Sequence, residues 1–171
     1  MTCGRVRVEG LSHASIQGDI RFLQVLEQLG CTVTSGADWI EVRGGERLRG
    51  VDLDMSALPD MVITLAALAP FADRPTTIRN VALIRHHETD RLAAIAAELR
   101  KLGVVVDERP DGLTIFPGEL RPCAIDTYHD HRMAMGFALV GLRVPGVQID
   151  GSECVAKTFP DFFDRFARLT N

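Results

Sequence analysis

Three short strings concentrate the residue types that handle anions and protons. They are Arg85-His86-His87-Glu88-Thr89-Asp90-Arg91, Asp130-His131-Arg132-Met133-Ala134-Met135 and Lys157-Thr158-Phe159-Pro160. Each lies where the residue pattern predicts the beginning of a helix, and each places cations there: Arg91, then His131 with Arg132, then Lys157. Unpaired N–H groups already put partial positive charge at a helix N-terminus, so a cation there is mildly disfavoured. Maintaining a fold does not ask for that arrangement three times. Holding a multiply charged anion does, because helix N-termini and Arg or Lys side chains attract it in the same direction. The strings predict an anionic-substrate site, with Asp90 and Asp130 as caps that also orient the cations.

Two carboxylates accompany the cations. Asp60 follows Pro59 at the start of an apolar run, where an Asp complements the helix dipole by roughly 0.3–1 kcal/mol. Glu88 is either a solvated loop residue ahead of a Thr89 cap or an acid–base group, and the residues alone leave both roles open. The pairs His86-His87-Glu88 and His129-Asp130-His131 contain metal-ligand types. Their adjacent or alternating spacing is unlike two histidines four apart on a helix, so no metal site is expected, and His131 reads as a hydrogen-bond donor to an anion. The segment Ser15-Ile16-Gln17-Gly18-Asp19 has neither GxxxxGK[ST] nor GxGxxG. It reads as a helix start with Asp19 in the first turn, and no nucleotide cofactor is expected.

The elements that position these groups show an internal repeat. Leu26-Glu27-Gln28-Leu29-Gly30-Cys31-Thr32-Val33-Thr34 returns as Leu99-Arg100-Lys101-Leu102-Gly103-Val104-Val105-Val106-Asp107, with Leu29 and Leu102 73 positions apart. Each copy predicts a helix ending at a Gly cap, a strand, a turn (35–38 and 109–112) and a second strand. A worn third copy would comprise a helix over about 133–141 and a strand over 147–150 without a clear hairpin partner. Residues 59–71 predict a buried helix, with Pro in the first turn and apolar residues all round. Residues 89–102 predict an amphipathic surface helix, apolar at Leu92, Ile95, Ala96, Leu99 and Leu102, with Glu98, Arg100 and Lys101 turned elsewhere. A Phe-rich helix is expected over 159–169, and further strands over 6–8 and 77–79. The pattern predicts one compact α/β domain with pseudo-threefold organisation.

Composition bounds the function classes. A chain of 171 residues, 46% apolar, can bury a core; its 15 glycines and 6% aromatics suit an α/β protein better than a β-sandwich. A formal charge of −4 argues against a nucleic-acid surface, so the anion must be drawn in by a local patch. Cys3, Cys31, Cys123 and Cys154 are dispersed, as free thiols in a reducing compartment are. The apolar stretch at 61–72 is too short to span a bilayer, which takes about 20 residues. With Arg5, Arg7 and Glu9 near the start in place of an apolar signal core, a cytoplasmic location without nucleic-acid or membrane partners is expected.

Taken together, the strings resemble the enolpyruvyl transferases, and within them the EPSP synthase family. The resemblance rests on Gln17-Gly18-Asp19-Ile20-Arg21-Phe22, Leu58-Pro59-Asp60 with Thr64, Glu88-Thr89-Asp90-Arg91-Leu92, Asp130-His131-Arg132-Met133-Ala134-Met135 and Ala156-Lys157-Thr158-Phe159-Pro160-Asp161. They run in family order over nearly the whole chain, and the Glu-Thr-Asp-Arg and Asp-His-Arg-Met-Ala-Met strings are specific.

The resemblance implies one lobe, 1–171, of a two-lobed enzyme, built from three similar α/β units in an inside-out, barrel-like arrangement. It implies transfer of the enolpyruvyl group of phosphoenolpyruvate to the 5-hydroxyl of shikimate 3-phosphate, through a tetrahedral intermediate and without metal or cofactor. Asp60 would then face the shikimate hydroxyls, Glu88 would act in proton transfer, and Lys157 would lie near the leaving phosphate. Arg91, His131 and Arg132 would hold the anionic groups of phosphoenolpyruvate. His87 stands where many relatives have a lysine at the shikimate phosphate. The chain matches the later lobe only, so activity is expected to need a complementary N-terminal lobe. The alternative expectation is an inert stand-alone α/β domain with residual anion binding.

Overall fold

The computed structural model describes residues 2–169. The first unit comprises β1 (Arg5–Glu9), α1 (Phe22–Gln28), β2 (Thr32–Ser35) and β3 (Trp39–Arg43). Its strands form an antiparallel sheet of order β1-β3-β2. Asp19 lies in the first turn of a 3-10 segment, Gly18–Arg21, that leads into α1. At the other end of α1, Gly30 takes φ +95°. Its amide donates to the Glu27 carbonyl, and that of Cys31 donates to Leu26, each over 2.9 Å. A left-handed residue at this point closes the helix, and glycine adopts it without a Cβ clash.

The second unit is the most complete. It runs through β4 (Asp52–Asp54), α2 (Val62–Leu68), β5 (Thr76–Arg79), α3 (Arg91–Lys101), β6 (Val106–Arg109) and β7 (Gly112–Ile115). The sheet order is β4-β5-β7-β6, with β4 parallel to β5 and the other pairs antiparallel. Gly103 repeats the device of Gly30 at φ +89°, with Val104 donating to Leu99 over 2.9 Å. The expected repeat is therefore real down to its capping bonds. Short 3-10 turns at Pro59–Met61 and Ala69–Phe71 flank α2, which buries Val62, Ile63, Leu65, Ala66 and Ala67, as an apolar surface all round requires.

The third unit has the expected helix and following strand but is not a copy of the helix–hairpin repeat. β8 (Ala124–Asp126) and β9 (Gln148–Asp150) pair in parallel on either side of α4 (His131–Gly141). Parallel neighbours need a crossover, so α4 holds the place that α2 holds between β4 and β5, not the place of α1 and α3. The physical reason lies after the helix. The chain leaves α4 through Leu142 and turns only at Gly146, so no glycine cap launches a hairpin there. A 3-10 segment, Ser152–Lys157, and α5 (Phe162–Arg168) follow.

The apolar cluster gathers around α2, α3 and α4. At Gly136 of α4 an added Cβ would come within 2.7 Å of Ile63 Cγ2 on α2, so the two helices meet at a glycine. The expected surface character of α3 is corrected: Arg91 and Glu98 are buried along with its apolar stripe, whereas Arg100 and Lys101 are exposed. Glu98 tolerates burial because its carboxylate accepts from Tyr128 Oη at 2.7 Å and from the Asp126 amide at 3.1 Å. Among the described residues, no helix is long and apolar enough to cross a membrane.

Candidate active site

Helix starts build the site. Asp90 caps α3 by accepting from the Ala93 amide at 3.0 Å, and Asp130 caps α4 by accepting from the Arg132 amide at 2.8 Å. The α3 cap is itself held. Arg85 Nη1 donates to both Asp90 oxygens, Nη2 to Glu108 and the Arg109 carbonyl, and Nε to the Pro110 carbonyl. This ties the turn before α3 to the β6–β7 hairpin, and with it His87 and Glu88.

Arg91 opens α3 and is only 2% exposed. Its Nε lies 2.7 Å and its Nη2 3.3 Å from the two Asp130 oxygens, while Nη1 lies 2.9 Å from Asp60 Oδ1. One guanidinium thus ties together the starts of α3 and α4 and the turn before α2. Burial alone would raise the Asp130 carboxyl. The Arg91 hydrogen bonds and charge, with the Arg132 amide, outweigh it and hold Asp130 below the usual carboxylate range.

The remaining groups face an open cleft of about 450 Å³ lined by Asp60, His87, Glu88, Arg91, His131 and Arg132. Arg132 Nη2 lies 3.0 Å from Asp60 Oδ2, and Lys157 Nζ donates to Glu88 Oε1. His87 Nδ1 lies 3.1 Å from Arg91 Nη1. A guanidinium can only donate, so Nδ1 accepts and Nε2 carries the proton. His131 Nδ1 lies 3.2 Å from Glu88 Oε2 without the alignment of a hydrogen bond.

All seven residues singled out from sequence meet here, with one positional correction. Lys157 ends a 3-10 segment and does not begin a helix, α5 starting only at Phe162. Pro160 within the intervening residues has no N–H to give, and Lys157 reaches Glu88 as a long side chain from the rim. Asp130 has a larger part than a cap, since it also neutralises Arg91. The signal for that was present in its position directly before His131-Arg132.

The ligand atoms of Glu88, Asp130 and His131 lie within 4.8 Å of one another, close enough to gather a cation. Arg91 already lies against both carboxylates, 2.7 Å from Asp130 and 3.5 Å from Glu88, and supplies the positive charge they need. The cations differ in what they can do. Arg91 is buried and fully engaged, whereas the Arg132 and Lys157 side chains are 29% and 63% exposed and each meets a single carboxylate. Exposed pairs of that kind are worth at most about 1 kcal/mol, so a ligand oxyanion can replace the carboxylate partner. The arrangement suits proton transfer beside a bound polyanion.

Known proteins place the chain in a family. Residues 1–166 match the family described as EPSP synthase (3-phosphoshikimate 1-carboxyvinyltransferase). The 3-phosphoshikimate 1-carboxyvinyltransferase of Nostoc punctiforme is 56% identical over 169 residues, and that of Burkholderia orbicola 53% over 172. These matches cover 99% and 97% of the chain, and the chain spans 40% of the length of each relative. Among solved structures, EPSP synthase from Acinetobacter baumannii superposes with a TM-score of 0.82 at 27% identity, covering 96% of this chain and 41% of that one. The enolpyruvyl transferase NikO from Streptomyces tendae gives 0.74 at 25% identity, covering 96% and 38%. With its specific strings gathered in one cleft and nearly its full length matched, the chain belongs to the EPSP synthase family.

Proposed function

We propose that residues 1–171 form a single lobe of a cytoplasmic enolpyruvyl transferase. It would move the enolpyruvyl group of phosphoenolpyruvate to the 5-hydroxyl of shikimate 3-phosphate and release phosphate, in the pathway to aromatic amino acids. The observation that carries the reading is the convergence of Asp60, His87, Glu88, Arg91, His131 and Arg132 on one cleft, with Lys157 bound to Glu88. Four unpaired cysteines suit a reducing compartment.

In this reading the reaction adds and then eliminates. A proton is delivered to the methylene carbon of phosphoenolpyruvate as the 5-hydroxyl oxygen attacks the adjacent carbon and loses its own proton. The C–O bond to phosphate then breaks, and the new methyl group returns a proton. Glu88 and Lys157 share one hydrogen bond and serve as the acid–base pair beside the reacting carbon. Asp60, fixed by Arg91 on one oxygen and Arg132 on the other, takes the hydroxyl proton. Arg132 and His131 hold the phosphate and carboxylate of phosphoenolpyruvate, and His87 offers its Nε2–H to the shikimate phosphate. Arg91 anchors Asp130 and Asp60 and so fixes the groups that meet the ligand.

The cleft is open, and the chain spans 40% of the length of its relatives. A complementary N-terminal lobe would close the other side, exclude water and add charge around the reacting carbon. Phosphate release from the two substrates tests this, with the chain alone and with a separately expressed first lobe from a close relative. Release only in the mixture is expected. Silence in both, with each partner demonstrably folded, would leave an inert domain with residual anion binding.

A further inference from the structure

Glu98 is a fully buried carboxylate that takes no part in the chemistry above. It sits on α3, two turns beyond Arg91, and its oxygens are filled from outside that helix as well as within it. Oε1 accepts from Tyr128 Oη at 2.7 Å and lies 2.9 Å from Lys101 Nζ, and Oε2 accepts from the Asp126 amide at 3.1 Å. A buried carboxylate hydrogen-bonded on both oxygens rigidifies what it holds.

What it holds is a strained turn. Tyr128 and His129 adopt φ +51° and +57° in succession, a region uncommon for non-glycine residues and entered more often by Asn, Asp and His than by Tyr. The turn is further tied by the Tyr128 amide to Asp126 Oδ1 at 2.8 Å, and by the Asp130 amide to the Thr127 carbonyl at 2.8 Å. Thr127 is itself buried and donates from Oγ1 to the Gly151 carbonyl at 3.2 Å. The next three residues are Asp130, His131 and Arg132. Two consecutive left-handed residues therefore decide the angle at which α4 begins and its first side chains enter the cleft, which neither Glu98 nor Tyr128 lines.

We propose that Glu98 and Tyr128 are positioning residues, a buried latch from α3 to the 127–129 turn that sets the orientation of His131 and Arg132 and so the affinity of the anion site. The inference rests on reading the cleft as an anion site, and its test separates the two. Inorganic phosphate is titrated into the chain while the His131 imidazole and Arg132 guanidinium resonances are followed by NMR. The proteins compared are wild type, Tyr128→Phe, Glu98→Gln and, as the control for the site, Arg132→Ala. Stability of each is measured in parallel by urea denaturation.

Tyr128→Phe removes one hydroxyl and leaves a buried acceptor short of a donor. Phosphate binding should weaken about tenfold, with His131 and Arg132 resonances displaced in the free protein and the remote Trp39 indole unmoved. Glu98→Gln keeps an acceptor for Tyr128 and loses the one for Asp126, so it should fall between wild type and Tyr128→Phe. A Tyr128→Phe protein that binds phosphate within twofold of wild type, with unmoved His131 and Arg132 resonances, overturns the latch however much stability it loses. Should wild type and Arg132→Ala respond alike to phosphate, the anion reading fails, and the free-protein resonances still decide. Displacement in Tyr128→Phe keeps the latch, and no displacement removes it.

Discussion

Asp60 is shared between two arginines that have opposite relations to solvent. Arg91 Nη1 and Arg132 Nη2 each lie about 3 Å from one of its oxygens, yet only Arg91 is sealed by a second, buried carboxylate. Removing Asp130 leaves a buried guanidinium without its main partner and α4 without its cap. Asp130→Ala is therefore expected to cost about 3–5 kcal/mol in urea denaturation. A loss below about 1 kcal/mol would show that Asp60 alone satisfies Arg91. Arg132→Ala and Lys157→Ala remove half-exposed or exposed members of weak pairs. Each should change stability by less than about 1 kcal/mol while weakening phosphate binding by roughly tenfold or more. An unchanged phosphate titration in either variant removes the anion site. Acid distinguishes Asp130 further. Its carboxyl is held low in the folded protein, so the unfolded chain takes up the proton first and stability rises with pH across that range. The contribution is complete above the unfolded value near 3.9 and is lost as pH falls through the depressed folded value. The stability gap between wild type and Asp130→Asn should thus narrow from pH 6 to pH 3.

At the scale of elements, close approach at Gly136 sets how far α4 can rest on α2. A methyl group there meets Ile63 Cγ2 at 2.7 Å, and forcing the helices apart is expected to cost about 1–3 kcal/mol in Gly136→Ala. Ile63→Ala removes the opposing methyl, so the double variant should be less destabilised than the sum of the singles; strict additivity in urea denaturation would refute the contact. The same helices show what a sequence can and cannot disclose. The Gly30 and Gly103 caps were legible because a backbone that must turn left-handed demands glycine, and the hairpins after them were legible by alternation. β4 and β8 were not legible, since Asp52-Leu53-Asp54 and Ala124-Ile125-Asp126 are three residues long, too short to show a period. Helix α3 misled for another reason. Periodicity treats Glu98 as solvated, and only the tertiary partners Tyr128 and Asp126 reveal why it is buried. The seven residues of the candidate site could be named from their strings and the family resemblance, but the network joining them could not, because Arg91 meets Asp130 across 39 positions and Lys157 meets Glu88 across 69.

Across the whole molecule, the repeat units are unequal in completeness, and that inequality should appear in how the protein opens. The β5–β7–β6 portion of the second sheet buries all of β7, and α2, α3 and α4 share one apolar cluster with it. All five residues of β1 are exposed, and every residue of α5 is exposed or half-buried. Opening a segment costs free energy roughly in proportion to the apolar contacts it breaks, so the extremes should lie far apart. Amide hydrogen exchange is expected to be slowest in β7 and the middle of α2 and α4. It should be faster in β1 and α5 by more than about a hundredfold, equivalent to nearly 3 kcal/mol. Equal protection in β1 and β7 would refute this ranking. The order bears on the cleft. Asp60 precedes α2, and His131 and Arg132 open α4, so these groups stand at the ends of the helices expected to open slowly. Lys157 belongs to the 3-10 segment that runs into α5, so it is the member of the site carried by the more easily opened part. Phosphate binding should accordingly raise protection most around Lys157 and α5 and least within α2. Uniform protection across the chain would instead indicate that the ligand stabilises the fold globally and leaves Lys157 no more restrained than the rest.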